Sequence, residues 1–219
     1  PTISRTGDLD RKGNYSINFD DTHTLVFGEK IQDTFDMLDK NKKSQKVDSK
    51  KWLSSSGVKI KREYVRGKNN NITNNGCVVL GGNDTSIRFL QTKKKIRNPI
   101  VNFKIIQGPY NRDVNGLNLR KPQPNESILV EISKDGSSWT TVKTIKPEYN
   151  LKDHYGKNSN IVNQKSVRKD YKLNYKDFNV HNSSFYLRWV QKVVINKNEP
   201  AWAIDKIEIN FSNQDIRYP

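Results

Sequence analysis

Apolar residues recur in this chain at every second position and in short runs, and that period constrains the fold more than any other feature. Phe185, Leu187 and Trp189 share one face of an extended segment, with Tyr186 and Arg188 on the other. Ile207, Ile209 and Phe211 repeat the pattern against Lys206, Glu208 and Asn210. Two amphipathic strands joined by a polar bend at 196–200 are therefore expected to close the chain. Trp202 and Ile204 stand on the opposite parity from Ile207, which predicts a register shift or bulge, or a bound group, at about Asp205.

The same alternation appears at Val58 and Ile60, at Val101, Phe103 and Ile105, and at Ile128, Val130 and Ile132. Lys134, Asp135, Gly136 and Ser137 form a turn signal after the last of these, and the segment from Trp139 to Ile145 reads as the returning strand. Cys77 to Leu80 reads as a short buried strand, with a tight turn over Gly81 to Asp84 and a return strand from Ile87 to Leu90. The stretch 111–125 is read as a loop ended by Pro122 and Pro124, and 146–175 as a long surface excursion. A lysine-rich loop leads to Trp52. No amphipathic helix of useful length is visible, so the fold class expected is all-β: a two-layer antiparallel β-sandwich, or jelly roll, over residues 31–219. Residues 1–30, with one short strand at Tyr15, Ile17 and Phe19, are expected to be an N-terminal arm.

Only 33% of the 219 residues are hydrophobic and 28% are charged, so the core must be thin, as in a sandwich. The formal charge of +16 comes mainly from lysine, clustered at Lys40, Lys42 and Lys43, at Lys50 and Lys51, and at Lys93 to Lys95. Such a surface suits an anionic glycan, an acidic protein or nucleic acid. Nucleic acid is not the expected partner, because arginine is the minority base and no recognition helix or aromatic-studded RNA motif is present. No run approaches the roughly 18 apolar residues of a membrane span, so no membrane partner is expected. The lone Cys77 excludes an internal disulfide, and the start of the chain has no basic-then-apolar leader, as expected of a protein made in a cytosol without secretion. His23, His154 and His181 stand in no nucleophile setting and make no zinc spacing, so no catalytic residue is assigned and no enzyme is expected.

Several stretches in order resemble the jelly-roll subrepeat of reelin repeats, over about residues 31 to 211. They are Asp33 to Asp36, Trp52 before Gly57, Gly76 to Phe89, Val101 to Phe103, Glu126 to Trp139, and Leu187 to Gln191 with Trp202 to Asp205. The more specific motifs are Ser-Lys-Asp-Gly-Ser-Ser-Trp after a strand and the pair Arg-Trp-x-Gln and Trp-Ala-Ile-Asp. The resemblance implies calcium as the candidate ion, at Asp33 or Asp36 and Asp205. The bland alternative is turn acids in solvent and a cap on a bulge.

Similar jelly rolls also look like parts of tailed-bacteriophage structural proteins. The expectation is thus a non-catalytic virion component of a bacteriophage (head decoration, neck or tail), located in the virion and bound to other virion proteins as a homo-oligomer. The alternative is a carbohydrate-binding or adhesin module, with a glycan as partner. Partner contacts are expected from Tyr15, Ile17, Phe19 and Leu25 of the arm, and from Tyr110, Tyr149, Tyr155 and Tyr171 in loops. Trp52, Trp139, Trp189 and Trp202 would make a sugar-stacking platform if exposed, but their parity assigns at least three of them to the core.

Overall fold

Alternation becomes two antiparallel sheets in the computed structural model, which describes residues 30–36, 42, 44–62, 76–81, 87–108, 110–111, 117–148, 167–180, 183–195 and 198–211. Numbered along the chain, the larger sheet holds β1 (Ile31–Asp33), β2 (Ser44–Gln45), β4 (Lys59–Arg62), β5 (Gly76–Val79), β7 (Pro99–Gln107), β12 (Val167–Leu173) and β14 (Trp202–Phe211). Their order is β12-β7-β14-β5-β4-β2, with β1 also paired to β14. The second sheet holds β3 (Trp52–Ser54), β6 (Arg88–Thr92), β10 (Ile128–Ser133), β11 (Thr140–Ile145) and β13 (Tyr186–Gln191), in the order β11-β10-β13-β6-β3. A small ladder joins β8 (Tyr110–Asn111) to β9 (Asn118–Leu119). The chain changes sheets along β2 to β3 to β4, along β5 to β6 to β7, from β7 by way of β8 and β9 to β10, and again along β11 to β12 to β13 to β14, the winding of a jelly roll.

Inward positions of both sheets meet in one core. Trp52, Trp189, Trp202, Phe103, Leu187, Val130, Ile204, Ile207 and Ile209 are all buried there. Aromatic rings run through its centre: Trp189 stands edge-on to Phe103 at 5.4 Å and to Trp52 at 6.2 Å, and Phe103 stacks on Tyr171 at 5.2 Å. Such pairs contribute about 0.5–1.5 kcal/mol each beyond the area they bury. The parity break was legible: the ladder between β14 and β7 shifts register between Ile204 and Lys206, so Asp205 occupies a bulge. That extra residue lets Trp202 and Ile204 face the same core as Ile207 and Ile209.

A second apolar cluster, Cys77, Val79, Ile106, Leu117, Leu119 and Ala203, lies apart from that core. The chain around β9 is bonded to the larger sheet's neighbours: Leu117 N–H donates to the Arg62 carbonyl and Arg120 N–H to the Pro200 carbonyl. Gly108 makes room for this approach, since a Cβ there would lie 2.0 Å from the Arg120 carbonyl oxygen. Cys77 is thereby wholly buried. Burial pushes its thiol pKa up, the Asp205 carboxylate adds to the rise, and Lys61 offsets part of it. Folded protein at pH 8 should therefore resist iodoacetamide and react only once unfolded, as mass spectrometry would report. Rapid alkylation of the native protein would contradict this placement.

Four expectations are corrected. β13 and β14 do not pair; they lie in opposite sheets, joined by a crossing rather than a hairpin. β5 and β6 are likewise split between sheets. The excursion over 146–175 contains β12 and ends at the start of a 3₁₀ turn at Tyr175–Phe178, and the loop over 111–125 contains β9. β12 escaped notice because it is an edge strand: of its seven residues only Leu173 is fully buried, and Arg168, Lys169, Asp170 and Lys172 make it read as loop while guarding the edge. The expected arm over residues 1–30 falls outside the described residues except for Lys30.

Candidate functional site

Sending Leu187 and Trp189 into the core forces Tyr186 and Arg188 onto the outer face of the five-stranded sheet. Cross-strand pairing then aligns Thr141, Glu131, Arg188, Gln91 and Leu53 in one row from β11 to β3. Glu131 is 0% exposed although it points outward, because its neighbours close over it. Arg188 donates to Oε2 from Nη2 at 2.6 Å and from Nε at 2.9 Å, and the Thr141 hydroxyl donates to Oε1 at 3.1 Å. The Lys192 ammonium lies 2.6 Å from Oε1.

The fixed Arg188 guanidinium lies 3.8 Å from the ring centroid of Trp139, which is half-buried. Trp139 is aimed by the turn before it. The Asp135 carboxylate accepts the N–H groups of Ser137 and Ser138 and the Ser133 hydroxyl, each at 2.8 Å. Gly136 supplies the left-handed φ of 83° that closes the turn. The donors from Ser138 and Ser137 hold the Asp135 carboxyl well below its usual range. Beside this turn, the Tyr186 ring carries the Lys95 ammonium at 5.5 Å. The face thus presents two rings and several cations around a carboxylate already neutralised.

Burial alone would raise the Glu131 pKa, but hydrogen bonds from Lys192 and Arg188 and the Arg188 charge bring it below the ordinary value. A depressed carboxylate stabilises the fold above its unfolded pKa of about 4.3, and that contribution is lost as pH falls through the folded value. Urea titrations across about pH 2–5 should therefore show a weaker acid dependence for Glu131→Gln than for wild type. Equal dependence would contradict the pairing.

The sequence-predicted acids take other roles. Asp33 Oδ1 accepts the Phe35 N–H at 2.9 Å and Oδ2 accepts the Trp52 indole N–H at 2.8 Å, with Lys51 3.9 Å away. Asp36 accepts the Thr34 hydroxyl at 2.7 Å, and Asp205 lies 3.7 Å from Lys104. Among the described residues no three His, Cys, Asp or Glu side chains stand together to hold a metal. Calcium takes six to eight oxygens, and these carboxylates are engaged by protein donors or faced by a lysine, so the set does not fit that ion. Tyr171 is not in a loop: it lies on β12, half-buried against Phe103. Tyr110 lies in β8, and its side chain, together with Tyr15, Ile17, Phe19, Leu25, Tyr149 and Tyr155, falls outside the described residues.

Trp52, Trp189 and Trp202 are at most 1% exposed, as their parity required, which leaves Trp139 as the surface tryptophan. An open groove of about 230 Å³ at Lys104, Asp170, Tyr171 and Lys206 is a weaker candidate. Its Lys104 is already shared between Asp170 and Asp205, each 3.7 Å away. Sequence reading missed Glu131 and Lys192; the outward parity of Arg188 was its one visible sign.

Fold and surface together define a two-sheet β-sandwich whose five-stranded sheet carries a basic outer face with Trp139 and Tyr186 on it. The chain belongs to the reelin subrepeat B family, whose model matches residues 70–210. No curated protein matches it by sequence. Two solved structures are similar to it. One is the K1 cleaved adhesin domain of Lys-gingipain from Porphyromonas gingivalis W83, with 15% identity, TM-score 0.49, and 84% of this chain and 99% of that one covered. The other is the K2 cleaved adhesin domain of Lys-gingipain, with 11% identity, TM-score 0.47, and coverage of 84% and 98%. None of these matches concerns a bacteriophage particle.

Proposed function

We propose that this domain is a non-catalytic adhesion module that binds carbohydrate on the outer face of its five-stranded sheet. The observation that carries the reading is Trp139, a half-buried tryptophan at the surface held against Arg188, which is itself clamped by the buried Glu131. The C–H faces of a pyranose pack on an aromatic ring, and a ring fixed beforehand loses little entropy on binding. Beyond the N–H groups given to Glu131, the Arg188 guanidinium and Lys192 ammonium keep further donors for sugar oxygens, and the Thr141 hydroxyl oxygen can still accept from a sugar hydroxyl. The virion-subunit reading rested on an analogy of fold and on the arm, which falls outside the described residues except for Lys30.

A glycan array probed with wild type and with Trp139→Ala tests the proposal. Binding by wild type and loss of at least about tenfold in the variant, with an unchanged melting temperature, is the expected result. Equal binding by both proteins, or none by wild type, would sink the reading.

A further inference from the structure

Lysine runs that lie far apart in sequence meet at one corner of this face. Lys93 N–H donates to the Lys51 carbonyl at 2.9 Å, and its ammonium donates to the Ser49 carbonyl at 3.0 Å. The Lys51 ammonium donates to the Gln32 carbonyl at 3.2 Å. Lys50 and Lys94 are exposed beside them. Lys95 leads on to the Tyr186 ring, and Arg188 follows two residues along β13, about 7 Å further by the rise of a strand. Lys192 continues the line beyond the end of β13.

The acids along this line are spoken for. Glu131 is covered by Arg188 and Lys192, Asp135 by the N–H groups of its own turn, and Asp33 by Trp52 and Phe35. Asp33, whose Oδ2 lies 3.9 Å from the Lys51 ammonium, and Asp48, which accepts the Lys50 N–H at 2.9 Å, are the countercharges at the corner. The result is a basic strip, punctuated by Tyr186 and Trp139, that starts at the lysine corner and passes the proposed sugar platform.

We infer that the ligand is a linear uronic-acid polysaccharide, laid along this strip with one saccharide on Trp139 and its neighbours' carboxylates at the Lys50, Lys93 and Lys94 corner. The inference rests on the carbohydrate reading above and extends it to a ligand class. Lysine ammonium is a compact, strongly hydrated point charge, which pairs better with a hydrated carboxylate than with a weakly hydrated sulfate. Duplex DNA would want an element that enters a groove, and a single strand would want a series of stacking rings; the strip offers neither.

The test measures binding of the full chain to polygalacturonate, to its methyl ester, to dextran sulfate and to duplex DNA. Wild type is compared with Trp139→Ala and with Lys50→Glu/Lys94→Glu, two exposed sites whose melting temperature should not move. The expected result is binding to polygalacturonate that weakens steeply with salt and drops about tenfold or more in either variant, with the methyl ester weaker by a similar factor. Trp139-dependent binding of the methyl ester as tight as that of the acid would overturn the uronate inference and leave the carbohydrate reading standing. Lysine-dependent binding that ignores Trp139→Ala would overturn both. Equal affinity for dextran sulfate or DNA, or no affinity for polygalacturonate, would also overturn the inference.

Discussion

Trp189→Ala should cost about 3–5 kcal/mol, a large part of the 5–15 kcal/mol that holds a typical domain folded. Trp189 is 0% exposed and stands between Trp52 and Phe103, so its removal leaves a void that rings from both sheets line. Its indole N–H, buried, has no hydrogen-bond partner among the described residues, which makes part of its burial unfavourable. Trp189→Phe should therefore be far milder than the loss of ring volume alone suggests, because it also removes an orphan donor. Urea denaturation of the two variants checks both statements. A loss below about 1 kcal/mol for the alanine variant would mean that the centre of the sandwich is elsewhere.

The second large effect is expected at Glu126, which joins three segments at the other end of the sandwich. Arg120 donates to its two oxygens at 2.6 and 2.5 Å, Gln123 N–H at 2.8 Å and Ile195 N–H at 3.1 Å, and the carboxylate is 0% exposed. Its own carbonyl accepts the Trp202 indole N–H at 2.8 Å, so one residue ties the approach to β10 to the crossing into β14. Glu126→Ala should destabilise by about 3–5 kcal/mol, since it leaves two backbone donors without their acceptor and a half-buried guanidinium without its countercharge, bonded only to the Glu199 and Lys121 carbonyls. Arg120→Ala/Glu126→Ala should cost less than the sum of the single changes, because the double change leaves no unpaired charge. Additive losses in a denaturation cycle would show that the pair is not coupled.

Much of this architecture was legible because burial follows parity. Positions 185, 187 and 189 face the core as their alternation required, and the clash of parity at Trp202, Ile204 and Ile207 correctly announced the bulge at Asp205. The turn at 134–137 and its hairpin followed from local chemistry, an Asp that accepts backbone N–H groups and a Gly at positive φ. Sheet assignment was not legible. An alternating strand looks the same in either layer, and nothing local says that β13 pairs with β10 and β6 rather than with β14. The candidate face shares that limit: Arg188 visibly pointed outward, but its clamp on Glu131 joins residues far apart in sequence through a register that only the fold supplies. β12 stayed hidden for the opposite reason, since charge at the edge of a sheet erases the alternation that would reveal it.

Carbohydrate binding as proposed requires Trp139 to be the ring that meets ligand. An ¹⁵N-resolved titration of the four tryptophan indole signals with polygalacturonate tests that directly. The Trp139 signal should move progressively to saturation while those of Trp52, Trp189 and Trp202, sealed in the core, stay in place. A saturating titration in which the Trp139 signal does not move would contradict the claim.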